Sequence, residues 1–198
     1  MHITEEARNT EVIHHTDVLV VGSGPGGLSA ALGAARAGVS VTLLERFGCF
    51  GGNITAVGVE GFAWYRHEKT VDSEGIGIEL EQRAKEMGAA VEEPQSDSHA
   101  IDGESFKWVA DTLIQESKIT PMLHRLFVAP IMDGDCIIGV IVESKGGREA
   151  ILAKRIVDAT GDGDVADTDE VTMVATTTGG TGNVDVDTFS TLNFDVIA

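Results

Sequence analysis

The sequence predicts an α/β fold carried on a parallel sheet, and three observations predict it. Residues 17–21, Asp-Val-Leu-Val-Val, form a short β-branched apolar run of the kind found in strands buried on both faces. A glycine-rich turn follows without a break, and residues 28–37, rich in Ala and Leu, read as a helix stopped by Gly38. A second apolar strand at 39–44 closes the unit within about 30 residues, the size of a minimal parallel crossover.

The remaining elements follow in order. Residues 47–61 are glycine-rich and irregular, a loop wrapped on something rather than a linker. Residues 75–88 carry a helical pattern (Ile76, Ile78, Leu80, Ala84, Met87) that stops at Gly88. Residues 92–103 are polar and contain a proline, which suggests a surface connection; residues 104–117 return to a helix with Phe106, Val109, Leu113 and Ile114 on one face. A β-rich stretch comes next: a strand at 120–132, a turn at Asp133-Gly134-Asp135, a strand at 136–144, a turn at Lys145-Gly146-Gly147, and two further strands at 149–153 and 155–159. From Val165 the chain becomes acidic and rich in Thr and Gly, with candidate strands at 171–176 and 189–194. The sequence thus divides into a lead-in at 1–16, a domain at 17–166 and a tail at 167–198.

Composition narrows the function. Fourteen Lys and Arg stand against 32 Asp and Glu, a formal charge of −18, and no basic residue follows Arg155. Such a surface repels phosphate backbones and anionic lipid, so nucleic-acid and membrane-surface roles are not expected. No apolar run approaches the roughly 18 residues of a spanning helix, and the start lacks the pattern of a secretion signal, so a cytoplasmic protein is expected. The two cysteines, Cys49 and Cys136, form no framework and no ligand-like pair. His14 and His15 are adjacent and so point apart, and no metal is expected.

Three motifs carry chemistry. The first is Gly22-Ser23-Gly24-Pro25-Gly26-Gly27, between a strand and a helix, with Glu45 ending the next strand about 20 residues on. In that arrangement Gly22 permits the tight turn, Gly24 lets a pyrophosphate approach the backbone, and Gly27 allows the helix to pack closely. The helix N-terminus offers free N–H groups to the phosphates, and Glu45 offers a carboxylate to the hydroxyls of an adenosine ribose. A carboxylate there disfavours NADP but does not separate NAD from FAD. The second motif, Arg46 through Gly51, Gly52 and Asn53, brings a second glycine-rich backbone to the ligand and suits an extended, tightly held FAD. The third, Asp158-Ala159-Thr160-Gly161-Asp162-Gly163-Asp164, places small residues at the carboxyl edge of the sheet; as a calcium loop it lacks the regular ligands and the closing Glu.

Taken in order, these motifs resemble the FAD-dependent oxidoreductases related to the fumarate reductase and succinate dehydrogenase flavoproteins, over about residues 17–166. The resemblance implies a Rossmann-like FAD-binding domain with a parallel sheet and a β-meander crossover. It implies that Gly22, Ser23, Gly24, Pro25, Gly26 and Gly27 hold the pyrophosphate, Glu45 the ribose, and Arg46 the adenine flank. Gly51, Gly52 and Asn53 then line the flavin side, the Val128 backbone meets the adenine, and Ala159, Thr160 and Gly161 close over the adenosine. Members of the family are longer and add a substrate or cap domain and a late flavin-ring segment. On that resemblance the cap domain is expected to be largely absent from these residues, with 167–198 an acidic Thr- and Gly-rich tail or its remnant.

Two singletons invite roles. Cys49 lies in the loop that runs toward the flavin but has no second thiol nearby, and a small apolar filler is expected. His67 and Arg66, beside Trp64 and Tyr65, are candidates for a proton donor and a carboxylate partner, though a solvated core edge is the expected reading. The function expected is an FAD-dependent oxidoreductase, or its FAD-binding portion, acting on a small-molecule substrate. The alternatives are a non-catalytic FAD-binding subunit that joins a complementary chain or a homo-oligomer, and an NAD-dependent dehydrogenase.

Overall fold

The first strand begins earlier than its apolar run suggests. In a computed structural model, which describes residues 2–3, 6–61, 66–67, 70–71, 75–93 and 99–166, strand β1 runs Glu11–Val21. It takes in the end of the lead-in, where His14 Nε2 shares a hydrogen bond of 3.0 Å with Thr42 Oγ1. Helix α1 (Pro25–Arg36) starts on its proline, whose missing N–H costs nothing in the first turn, and ends before Gly38 at φ 83°. Strand β2 (Val41–Leu44) is buried throughout. The loop after it contains a π-helical turn, Asn53–Val57, and then two short strands, β3 (Arg66–His67) and β4 (Thr70–Val71), pair antiparallel.

Helix α2 (Ile76–Glu86) is followed by strand β5 (Ala90–Glu92), strand β6 (His99–Ile101) and helix α3 (Gly103–Glu116). The stretch expected to be only a surface connection therefore holds a strand: β6 pairs antiparallel with β5, joining Ala90 to Ile101. Asp102 then caps α3, its Oδ1 accepting from the Ser105 N–H at 2.7 Å. Hydrogen bonds from the Ser105 side chain and then its backbone N–H hold the Asp102 carboxyl below the usual carboxylate range.

The single strand expected at 120–132 is two: β7 (Thr120–Met122) and β8 (Leu126–Asp133). His124 breaks it with φ 56°, a left-handed conformation. Conversely, the strands expected at 149–153 and 155–159 are one continuous strand, β10 (Gly147–Asp158), which follows β9 (Cys136–Ser144). No turn residue interrupts it, and Lys154 simply faces out. The candidate strands at 171–176 and 189–194 lie outside the described residues.

One six-stranded sheet results, in the order β7-β2-β1-β10-β9-β8. β7, β2, β1 and β10 are mutually parallel, and β10, β9 and β8 form the antiparallel meander. Alternation along β1 splits the core: Val20 joins Leu28, Leu32, Leu43, Phe106 and Val109 under the helices. Leu19 and Val21 face the meander with Leu44, Val140, Val142 and Ile151. Each of these side chains contributes about 1.5–3 kcal/mol by leaving water. The parallel strands β1 and β10 consequently end side by side, at Val21 and Asp158.

Candidate functional site

The ends of β1, β2 and β10 converge on a groove of about 2120 Å³. Its floor is the first glycine motif. Gly22 sits at φ 96° with its N–H donating to the Leu44 carbonyl at 2.8 Å. A side chain there would meet the Ala159 carbonyl at 2.3 Å. Gly27 is equally constrained, since a Cβ would lie 2.0 Å from the Gly22 carbonyl oxygen. The first glycine makes the turn and the third seats the helix on it, as the motif requires.

Gly24 is different, because a Cβ there would meet nothing within 4 Å. It is the N-cap of α1, with no side-chain cap bond and no acidic residue in the first helical turn. The first N–H groups of the helix therefore have no intramolecular acceptor of their own and carry the positive end of its dipole.

The second glycine motif packs directly on the first. Gly51 donates its N–H to the Ser23 carbonyl at 2.9 Å. Gly52, at φ 54°, comes so close that a Cβ would sit 2.6 Å from the Gly24 Cα. Asn53 is exposed on the groove wall.

Glu45 is 5% exposed. Its Oε2 accepts from the Ser23 N–H at 3.0 Å and from the Ser23 hydroxyl at 2.5 Å, and its Oε1 accepts from the Phe47 N–H at 2.9 Å. The carboxylate thus ties the end of β2 to the glycine turn. Its backbone does the same for β7, with Glu45 N–H donating to the Met122 carbonyl at 2.9 Å and Arg125 N–H to the Glu45 carbonyl at 3.0 Å. Arg46 is exposed, its guanidinium 4.9 Å from the Phe47 ring centroid at the rim of the groove.

The third motif is folded by Asp158. Its Oδ1 accepts from the Thr160 N–H at 3.1 Å and the Thr160 hydroxyl at 2.8 Å. Its Oδ2 accepts from the N–H groups of Val165 and Ala166, both at 3.0 Å. Ala159 N–H donates to the Val21 carbonyl at 2.8 Å, so the Ala-Thr-Gly corner abuts the first turn.

The structure therefore brings Gly22, Ser23, Gly24, Pro25, Gly26, Glu45, Arg46, Gly52, Asn53, Ala159, Thr160 and Gly161 to one groove. Gly27 and Gly51 stand behind it as packing positions. Val128 stands apart: it falls at the bulge between Phe127 and Ala129 of β8, 36% exposed, while Arg125, Leu126 and Phe127 line the groove. Two further residues at the site carry no sequence signal of a role: Arg125, paired to Glu149 through Nε at 3.0 Å, and Asp158. Asp158 was visible in the motif, but its four acceptor bonds depend on a loop geometry that no spacing reveals. Cys49 is half-buried with Sγ 3.8 Å from Thr55 Oγ1, away from the groove lining. Arg66 and His67 lie on β3, and Trp64 and Tyr65 fall outside the described residues.

Known proteins share this architecture. The fold is similar to a geranylgeranyl bacteriochlorophyll reductase-like protein from Thermoplasma acidophilum, with a TM-score of 0.57 and 20% identity over 77% of this chain and 41% of that one. It is also similar to THI4 of Thermovibrio ammonificans, with a TM-score of 0.54 and 19% identity over 74% of this chain and 57% of that one. In sequence it is 31% identical to the thiamine thiazole synthase of Metallosphaera sedula, over 73% of this chain and 54% of that protein. The chain spans about half the length of the curated relatives it matches first. No helix among the described residues is long and apolar enough to cross a membrane. The family model for FAD dependent oxidoreductases matches residues 17–196, nearly the whole of the sequence, and the chain belongs to that family.

Proposed function

We propose that this chain holds FAD in the groove and forms the cofactor-binding part of an oxidoreductase that acts on a small-molecule substrate. One observation carries the reading: two glycine turns in van der Waals contact, Gly52 against Gly24, with the Gly24 Cβ direction open. Two backbones brought that close, at an uncapped helix N-terminus, suit a pyrophosphate better than any side chain.

FAD, when bound, supplies the two-electron redox chemistry that the protein's own side chains lack. The chain's residues do the positioning. Gly22, Ser23, Gly24, Pro25, Gly26 and Gly27 present the turn and the first helical N–H groups to the phosphates. Gly51, Gly52 and Asn53 carry the opposite wall toward the flavin side. Among the described residues Glu45 Oε1 accepts only from the Phe47 N–H, and its remaining acceptor capacity serves a ribose hydroxyl. Arg46 and Phe47 flank the adenine, as the rim geometry supports. Ala159, Thr160 and Gly161 close the adenosine side, on the loop that Asp158 fixes. For the adenine's backbone partner, the groove-lining Arg125, Leu126 and Phe127 are better placed than Val128.

The protein as purified should be yellow, and mass spectrometry of the released ligand should return FAD. Colourless protein that takes up no added FAD would sink the reading. A second reading rests on the named relatives: the match to thiamine thiazole synthases over 73% of the chain supports a thiazole as the product of the whole protein. Growth of a thiazole-requiring host on this gene supports that product; failure of the host to grow while FAD is bound returns the substrate to the wider oxidoreductase class.

A further inference from the structure

The glycine motif leaves its intervening positions open to any residue, and at the first of them this chain carries a hydroxyl, Ser23. Ser23 has no exposed surface, so its polar groups need partners inside the protein. All of them are engaged. Its carbonyl accepts from the Gly51 N–H at 2.9 Å, while its N–H and its hydroxyl both donate to Glu45 Oε2, at 3.0 and 2.5 Å. A hydroxyl facing a carboxylate can only donate, so one residue gives that oxygen two hydrogens.

A carboxylate offers about four lone-pair sites, two on each oxygen. Ser23 takes both on Oε2 and the Phe47 N–H takes one on Oε1, at 2.9 Å, so among the described residues one site is left. The group has little freedom to redistribute them. The Glu45 backbone is held on both sides, its N–H by the Met122 carbonyl and its carbonyl by the Arg125 N–H, and the residue is nearly buried. Turning both oxygens toward a ligand would leave two buried donors of Ser23 unpaired. That costs more than one further hydrogen bond to a sugar returns.

We infer that Glu45 reads one hydroxyl of the adenosine ribose rather than both, and that Ser23 is the positioning residue that restricts it. The inference rests on the FAD reading of the groove and deepens it. Oε1 takes the single hydroxyl, and the neighbouring hydroxyl of the same ribose finds no free lone pair on this carboxylate. The ligands selected are adenosine diphosphate derivatives that keep the hydroxyl that is read, whether or not they keep the other. Without a hydroxyl at position 23, Oε2 regains a lone pair and the selection is lost.

The test is competition on the full 198-residue chain stripped of ligand. FAD binding is followed by flavin fluorescence, with ADP, 2′-deoxy-ADP and 3′-deoxy-ADP titrated against it. One deoxy nucleotide should compete as well as ADP, and the other about ten- to a hundredfold less well, the loss of one charge-assisted hydrogen bond. In Ser23→Ala the gap between the two deoxy nucleotides should close. A merely structural defect would weaken all three nucleotides alike and leave that gap in place. Where Ser23→Ala does not melt cooperatively, Ser23→Cys, with its weak S–H donor, is measured instead. Equal competition by both deoxy nucleotides in the wild-type chain, or equal loss by both, overturns the inference and leaves the groove reading standing. A gap that persists without the Ser23 hydroxyl overturns the role of Ser23. Failure of FAD and ADP alike to bind refutes the groove reading, and the inference falls with it.

Discussion

Gly24→Ala separates the folding role of the glycine motif from its binding role. At φ −61° and ψ 177° the Gly24 backbone suits any residue, and the added methyl meets nothing within 4 Å. Replacing glycine there gains about 0.4–1 kcal/mol from a stiffer unfolded chain, and a poorer N-cap offsets a comparable amount. Stability should therefore change by less than about 1 kcal/mol. Binding should suffer, because a phosphate oxygen accepting from the turn sits about 2.9 Å from a backbone nitrogen, while a methyl carbon needs roughly 3.5 Å. Displacing the phosphate from one charge-assisted hydrogen bond costs about 1.5–3 kcal/mol, or roughly ten- to a hundredfold in FAD affinity. Gly27→Ala is the control of opposite sign, for its Cβ would lie 2.0 Å from the Gly22 carbonyl oxygen and the helix must move off the sheet. Flavin titration of the stripped proteins, with a thermal melt of each, reads both effects. Unchanged FAD affinity in Gly24→Ala would falsify the placement of the phosphates, and a wild-type melt for Gly27→Ala would refute the packing argument.

Glu45→Gln keeps the shape but replaces an acceptor with an amide donor amid the Ser23 and Phe47 donors, so a loss of about 1–3 kcal/mol in stability is expected by denaturant titration. FAD affinity should fall with it. Asp158→Asn leaves Oδ1 able to hold Thr160 but turns the group facing Val165 and Ala166 into a donor. Faster amide exchange confined to residues 159–166 is expected, and unchanged exchange would show the loop is held by something else. Asp17 is held well below the usual carboxylate range, first by the Lys154 ammonium and then by the Ser40 hydroxyl and N–H. Its lowered folded-state value means that this stabilisation is fully present above the unfolded pKa of about 3.9 and fades as the pH falls below it. Asp17→Asn should accordingly flatten the acid side of a melting-temperature profile and lower its neutral plateau; a profile with an unaltered acid limb would contradict the assignment.

Much of this architecture was legible because it is written in periods and punctuation. The 17–21 run, the glycine turn and the 39–44 run each have a short-range cause, and the strand–helix–strand unit follows from them. Gly22, Gly24 and Gly27 were legible individually, since each glycine answers a different steric demand, and the structure separates those demands by what a Cβ would strike. The errors lie where tertiary context outweighs local pattern. The 120–132 run looks continuous because its apolar content is continuous. It breaks at His124 because that N–H donates to the Phe47 carbonyl, which ties β7 to the loop after β2 and sends β8 to the far edge of the sheet. The 92–103 connection hides β6 because a three-residue strand has too little alternation to register. The place of Val128 comes from the family resemblance alone, and the bulge beside it, which sets it off the groove lining, cannot be read from side-chain types.

A protein of formal charge −18 is an unpromising host for a dinucleotide that is itself anionic, and the geometry resolves the conflict locally. Two carboxylates stand at the strand ends that form the groove, and both are turned onto N–H and hydroxyl donors: Glu45 onto Ser23 and Phe47, Asp158 onto Thr160, Val165 and Ala166. Their charge is delocalised into the very loops that shape the cradle. The first turn of α1 carries no acid, and its dipole presents positive potential at the turn proposed to hold the phosphates. Arg46, exposed on the groove wall, adds a cationic side chain at the end where we propose the adenosine lies. The acids away from the groove act through water, where the Debye length is about 8 Å at physiological salt. Net charge therefore governs what the surface as a whole repels, while the backbone at one helix end governs what the groove accepts.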